Sequence, residues 1–417
     1  MILSKKWRSI LTATLPFLIS RPWSIPSVFS LIFGTFFATS LLNGQSPSAL
    51  TPSASLPLSE FRPLPRLKVN QTLLQSAKLP VIDIHTHFQI RLRHDPTAFA
   101  NFLEVMNRNR IAVCISLDGT LGPKLTDHLE FLNQRAPNRF AVFANIDFIG
   151  RGDKARPETW DCNQTDFVRQ TCEQLRVAQR LGVVGLKFFK QFGLEYRNGD
   201  GSLIAIDDPR FDPIWQTCGD LHFPIIMHTA DPSAFFLPID KTNERFEELA
   251  RHPDWAFPAE KFPARETLHA ARNRVIAKHP HTIFIAAHLA NDGEDLEATG
   301  QLLDTYPNLF VEIASRIAEL GRQPFTARKF LMKYQDRVLF GTDGPWPEER
   351  LRLYWRFLET DDEYFPYSEK EFPPQGFWNI YGVQLPEEVL SKIYRDNALQ
   401  ILPTLKDRYA EALKEMK

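Results

Sequence analysis

Four cysteines in 417 residues are too few for the dense disulfide framework of a small secreted domain, and their spacings match no zinc knuckle. Cys162 and Cys172 are near enough in sequence to pair, but two ordinary, partly buried thiols beside a helix are the expectation. Net charge is missing too. Lysines and arginines number 49 against 50 acidic residues, leaving −1, so no global field draws the chain to nucleic acid or to an anionic membrane. Nor is there an apolar run of the about 18 residues that make a spanning helix convincing. The two near the N-terminus, Ile10 to Ile19 and Val28 to Leu42, are shorter.

Those runs follow Lys5, Lys6 and Arg8 and precede a stretch rich in serine and proline. A basic start, an apolar segment and a polar tether make the pattern of an export signal or an N-terminal membrane anchor. Residues 1–45 are therefore assigned to that role, 46–78 to a linker and 79–417 to the folded domain, which is expected to be exported, either periplasmic or membrane-anchored. A domain of that length exceeds the usual about 100–150 residues, but an α/β barrel often runs to about 250 or more as one unit. With 43% hydrophobic and 24% charged residues the chain can bury a sizeable core.

What the sequence does contain is a recurring pattern, an apolar run that ends in a residue able to hold a metal. In Val81-Ile82-Asp83-Ile84-His85-Thr86-His87 two imidazoles share one face of a strand, because alternate residues do so. Pro224 to His228, Ile283 to His288 and Val338 to Asp343 repeat the pattern. Strands are predicted at Val81–His87, Ile111–Leu117, Phe140–Ile146, Val183–Phe188, Pro224–His228, Ile283–His288, Leu309–Ile313 and Val338–Thr342. Helices are predicted between them at Thr97–Asn109, Asp166–Leu181, Arg265–Lys278, Leu296–Tyr306 and Thr326–Tyr334, and beyond them at Pro386–Asn397 and Leu405–Met416. No internal repeat exists beyond that alternation, which is the signature of parallel β/α units.

The predicted fold is α/β, a (β/α)8 TIM barrel with extended βα loops and C-terminal helices. Such barrels carry their catalytic groups at the C-terminal ends of the strands, where the histidines and Asp343 fall. In Val183–Phe188 the alternation sends Val184, Leu186 and Phe188 toward the helices and Lys187 into the barrel. An ammonium there needs a charge partner or a chemical modification.

Taken together, Ile82-Asp83-Ile84-His85-Thr86-His87, Gly185-Leu186-Lys187, Met227-His228-Thr229-Ala230-Asp231, Ala287-His288 and Phe340-Gly341-Thr342-Asp343 resemble the amidohydrolase superfamily, specifically the branch containing aminocarboxymuconate-semialdehyde decarboxylase. The resemblance spans roughly Leu79 to Pro403. It implies a divalent metal, most often zinc, as one ion or two. His85, His87, His228 and Asp343 would be its ligands, and Asp343 would also accept a proton. His288 would act as acid, base or electrophile beside one metal, or bind a second. Carboxylated, Lys187 would bridge two metals; unmodified, it would be a structural or substrate-facing cation.

Zinc on neutral imidazoles brings the pKa of its water to about 7, which suits attack on an ester, lactone or amide carbonyl. The same ligands in the named relatives support non-oxidative decarboxylation of an unsaturated or aromatic acid, and a metal-binding module without catalysis is a third reading. The substrate is expected to be a small carboxylate-bearing molecule, held by Arg91, Arg93, Arg245 or Arg316 as anion clamps; a homodimer is a further expectation. Two aromatic-rich insertions, from Asp231 to Phe262 and from Asp361 to Tyr381, would line the pocket, close over it or pack as surface loops.

Overall fold

The structure is a computed structural model that describes residues 57, 60, 61, 63–368, 370 and 375–416. Residues 1–45, expected to be an export signal or a membrane anchor, lie outside these residues, as does the start of the stretch expected to be a linker, residues 46–56. Among the described residues no helix is long and apolar enough to cross a membrane. Where the linker is described near its end, it is fastened to the domain. Thr72 donates its backbone N–H and its hydroxyl to Asp362, each at 2.7 Å, and Ala77 is buried.

Eight parallel strands follow in the order β1 to β8. They are β1 (Val81–Thr86), β2 (Ile111–Thr120), β3 (Phe140–Asn145), β4 (Gly185–Phe188), β5 (Ile225–Met227), β6 (Phe284–Ala286), β7 (Leu309–Glu312) and β8 (Val338–Leu339). Backbone bonds past the end of β8 close the ring. Ile84 N–H donates to Phe340 O at 3.1 Å, Asp343 N–H to His85 O at 2.8 Å and His87 N–H to Gly344 O at 2.7 Å. All eight predicted strands are present. Near-continuous apolar runs are what a parallel sheet covered on both faces requires.

Two sets of core side chains divide the strands by face. Ile82, Ile84, Val113, Ile115, Phe143, Ile226, Ile285 and Leu339 fill the barrel, while Leu186, Phe188, Ile225, Met227, Phe284 and Val311 pack outward among the helices. Leu186 and Phe188 face outward as expected. Val184 instead packs on the inner set, because β4 begins only at Gly185 and its alternation does not reach back that far. The C-terminal helices Asn397–Ile401 and Leu405–Glu415 supply Ala398, Leu402, Leu405 and Tyr409 to the inner set. They plug the end of the barrel where the strands start, leaving the opposite mouth for chemistry.

Helices not predicted occupy Pro123–Arg135, Asp212–Asp220 and Glu348–Glu359. The single helix expected at Pro386–Asn397 is interrupted by a π turn at Lys392–Asp396, where the Ile393 carbonyl is free to accept from Phe340 N–H at 3.0 Å. In Glu348–Glu359, Trp355 is fully buried, stacks on Phe340 with centroids 5.2 Å apart and donates Nε1–H to Asn109 Oδ1 at 3.0 Å. Trp355→Ala is expected to cost about 3–5 kcal/mol, read as a lower denaturant midpoint at unchanged slope.

Where they are described, both insertions are packed rather than open. The first packs Phe257 between Phe236, tilted, and Phe262, edge-to-face, at 5.0 and 5.1 Å, and Asn243 Nδ2 ties it to the carbonyls of Ala234 and Pro238. The second forms a two-stranded antiparallel ribbon, β9 (Phe365–Pro366) with β10 (Asn379–Ile380), with Phe365 and Tyr367 buried; Phe372 lies outside the described residues. All four cysteines are buried free thiols.

Candidate metal centre and active site

The end of β1 presents two imidazoles whose protons are already placed. His85 Nδ1 lies 2.8 Å from Glu312 Oε1 and His87 Nδ1 lies 2.7 Å from Asp118 Oδ1. A carboxylate accepts, so each Nδ1 carries the proton and each Nε2 offers a lone pair. Those two Nε2 atoms face Asp343 Oδ1, at 3.9 Å from His85 and 3.5 Å from His87. Acceptor atoms turned on one another in a buried space repel unless a cation stands among them. The ligand atoms of His85, His87 and Asp343 all lie within 4.8 Å of one another, and two imidazole nitrogens with a carboxylate oxygen suit a divalent transition metal. The residues fit such an ion.

Electrostatics point the same way. Burial, reinforced by Lys187, holds His85 far below the ordinary histidine range, so the ring stays neutral as a ligand must. Burial alone would push the Asp343 carboxyl up, but the charges around it, the Arg91 guanidinium among them, outweigh it and keep the group well below the carboxylate range. Ser315 Oγ–H donates to Asp343 Oδ2 at 3.2 Å, and Arg91 Nη2 is 3.5 Å from Oδ1.

Lys187 points into the barrel, its Nζ 3.4 Å from His85 Nε2. Burial lowers its pKa to about 8, against the opposing pull of Glu312, Asp343 and Asp118. His288 stands with its ring centroid 4.8 Å from that of His85. Its Nδ1 lies 2.8 Å from the Ala314 carbonyl, which can only accept, so Nδ1 is protonated and Nε2 is a lone pair. Burial first, then the neighbouring His228, holds this ring far below its usual range as well.

His228 takes a different place from the other two histidines. Its ring packs against His288 at 4.5 Å, and its Nε2 lies 3.3 Å from Asp231 Oδ1. It belongs to neither group of converging ligand atoms, His85–His87–Asp343 or His85–His288–Glu312. Asp231, three residues on, engages the nitrogen that would otherwise be free, and is itself paired with Lys190.

Of the predicted arginines only Arg91 reaches this centre. Arg93 is exposed at the end of the short helix Phe88–Leu92. Arg245 is 1% exposed and paired with Glu248 and Glu319. Arg316 Nη2 donates to Asn291 Oδ1 at 2.7 Å. Arg350, absent from the predicted set, lies with Arg91 on the Trp346 ring, at 3.7 and 4.1 Å from its centroid; among the described residues no carboxylate pairs with it.

Sequence reasoning also passed over Glu312, Asp118 and Asp83. Asp83 accepts the Thr342 hydroxyl at 2.5 Å and the backbone N–H groups of His85 and Thr342 at 3.1 Å each, tying the end of β1 to the end of β8. Glu312 had a usable signal, since it closes the apolar run Leu309-Phe310-Val311 just as the histidines close theirs.

The sequence profile of the amidohydrolase family matches residues 82–404. No curated protein matches the chain. Similar solved structures include 2,6-dihydroxybenzoate decarboxylase from Rhizobium, 18% identical with a TM-score of 0.46 and coverage of 78% of this chain and 99% of that one. A dihydroxybenzoic acid decarboxylase from Polaromonas, with bound manganese and the inhibitor 2-nitroresorcinol, is 16% identical with a TM-score of 0.46, covering 80% and 99%. 5-Carboxyvanillate decarboxylase from Novosphingobium aromaticivorans, complexed with manganese, is 12% identical with a TM-score of 0.43, covering 80% and 100%.

Proposed function

The chain belongs to the amidohydrolase family, and on that premise we propose that it is a metal-dependent hydrolase adding water to the carbonyl of a small carboxylate-bearing ester, lactone or amide. The observation that carries this reading is the pair of Nε2 lone pairs facing the ionised Asp343 at 3.5 and 3.9 Å. His85, His87 and Asp343 would hold the ion, zinc being the first choice for two imidazoles and a carboxylate. Bound there, it supplies Lewis-acid activation of a water and of the substrate carbonyl.

The side chains do the rest. Asp343 accepts a proton from the attacking water and passes it to the leaving group, with Ser315 fixing its other oxygen. His288, a neutral ring with a free Nε2, is a second proton acceptor. Glu312 and Asp118 keep the His85 and His87 tautomers in place. The same centre supports a second reading, decarboxylation of an unsaturated or aromatic acid, because the Arg91 guanidinium beside Asp343 can hold the substrate's own carboxylate. That reaction needs a proton delivered to carbon, and in the resting state neither Asp343 nor His288 Nε2 carries one. Hydrolysis therefore ranks first. Incubating metal-loaded protein with lactones, amides, esters and aromatic acids, while following acid and carbon dioxide release, decides between them; carbon dioxide from an aromatic acid would reverse the ranking.

Arg91 and Arg350, stacked on Trp346, form the anion subsite. A charge-assisted hydrogen bond is worth about 1.5–3 kcal/mol, so Arg350→Gln is expected to raise KM for a carboxylate-bearing substrate about 10- to 100-fold with kcat little changed. The methyl ester of the same carboxylate should be indifferent to the substitution.

A further inference from the structure

His288, Leu289, Ala290 and Asn291 have φ of 57°, 54°, 59° and 55°. Four consecutive non-glycine residues thus lie in the left-handed region, where an L side chain crowds the following carbonyl. Asn tolerates this conformation; Leu289 and Ala290 have no polar side chain that could offset it. Such a run persists only where the surroundings over-determine it, and strain of this kind gathers at functional sites.

The surroundings here are guanidinium groups. Arg272 Nη1 donates to Ala290 O at 2.8 Å, Arg265 Nη2 donates to Asn291 O, and Arg316 Nη2 donates to Asn291 Oδ1 at 2.7 Å. Asn291 Nδ2 in turn donates to the carbonyls of Thr229 and Ala230, at 2.9 and 3.0 Å. Arg272 differs from the other two. It is 1% exposed, and among the described residues its only other hydrogen-bond partner is Asn273 Oδ1 and its Nη2 has none. A buried cation with no carboxylate in hydrogen-bonding reach is costly to a fold; Asp292 acts on this one only from a distance, and its shortest hydrogen bond goes to the carbonyl of a strained alanine two residues past His288.

We propose that Arg272 is a positioning residue: by pinning the left-handed turn 288–291 it sets the direction of the His288 Nε2 lone pair. The inference rests on the reading of His288 as a proton acceptor. With Arg272 removed, Ala290 relaxes toward the right-handed region and the backbone at His288 turns with it. His288 then loses the register that lets its N–H reach Glu312 Oε1 at 2.7 Å and its Nδ1–H reach Ala314 O.

The test combines R272M, R272K and A290G in the full, metal-loaded chain. Glycine adopts positive φ without strain, so a turn containing it no longer needs the guanidinium. R272M is expected to lower kcat about 10- to 100-fold with KM and metal content unchanged. R272K should recover part of the loss, and R272M/A290G should recover at least about tenfold over R272M. Imidazole 15N spectra supply a readout that needs no substrate: His288 shows one Nδ1–H tautomer in the parent chain, tautomer averaging in R272M and the single form again in R272M/A290G. If R272M does not fold, R272K with and without A290G carries the same comparison. A loss that A290G fails to restore, or a His288 spectrum indifferent to Arg272, overturns the proposal. If no substrate in the panel is turned over, the function reading fails while the spectra still judge the turn.

Discussion

Asp343→Asn is expected to lower kcat by about 10²- to 10⁴-fold, the range over which a positioned proton acceptor contributes, measured by initial rates at saturating metal on whichever substrate the panel yields. The substitution keeps the shape of the side chain. It leaves intact the backbone bond from residue 343 to His85 O, which closes the barrel at 2.8 Å, so the fold should survive and the thermal midpoint should move little. What disappears is the negative charge beside the Arg91 guanidinium. An amide can accept the Ser315 hydroxyl, but it cannot take a proton from water or balance a divalent cation. Metal content should therefore fall as well, and excess metal should restore occupancy without restoring rate. A variant that keeps full turnover would remove Asp343 from the proton transfer.

The parts of this site that were legible in the sequence share a one-dimensional signature. His85, His87, Lys187, His288 and Asp343 stand in or at the ends of apolar runs, and parallel strands buried on both faces produce such runs wherever they occur. Order along the chain then stands in for order around the barrel, because β1 to β8 are sequential neighbours. What escaped depends on distances the chain does not encode locally. Asp118 lies inside β2, which continues to Thr120 through a register shift between Ser116 and Gly119, so no run ends there to mark it. Arg245 reads like an anion clamp until its carboxylate partners, one of them Glu319, 74 positions away, come into view. His228 ends a strand as the others do, yet Asp231 engages its ring. The left-handed turn after His288 is the least legible of all: nothing in Leu289-Ala290 favours positive φ, and the guanidinium that holds it comes from a helix 18 positions earlier.

Stripping the ion with a chelator should abolish activity and lower the thermal midpoint, because the Nε2 atoms of His85 and His87 and the Asp343 carboxylate then face one another with only Arg91 and Lys187 beside them, at 3.5 and 3.4 Å, to offset the repulsion. Binding to the folded state alone stabilises it by RT ln(1 + [L]/Kd), about 4 kcal/mol at a thousandfold excess over Kd. That term vanishes on chelation and should return on adding metal. Zinc and manganese are expected to restore the midpoint, and calcium and magnesium are not, since hard cations take oxygen ligands while two of the three donors here are imidazole nitrogens. The number of ions recovered reports on Lys187. Burial lowers its pKa to about 8, so the neutral amine that must attack carbon dioxide grows as pH rises through that value and is scarce below it. If Lys187 becomes carboxylated, intact mass rises by one carbon dioxide, more so after incubation with bicarbonate above pH 8, and metal analysis should then find two ions per chain instead of one. Full activity and an unshifted midpoint after exhaustive chelation would remove the ion from the chemistry altogether.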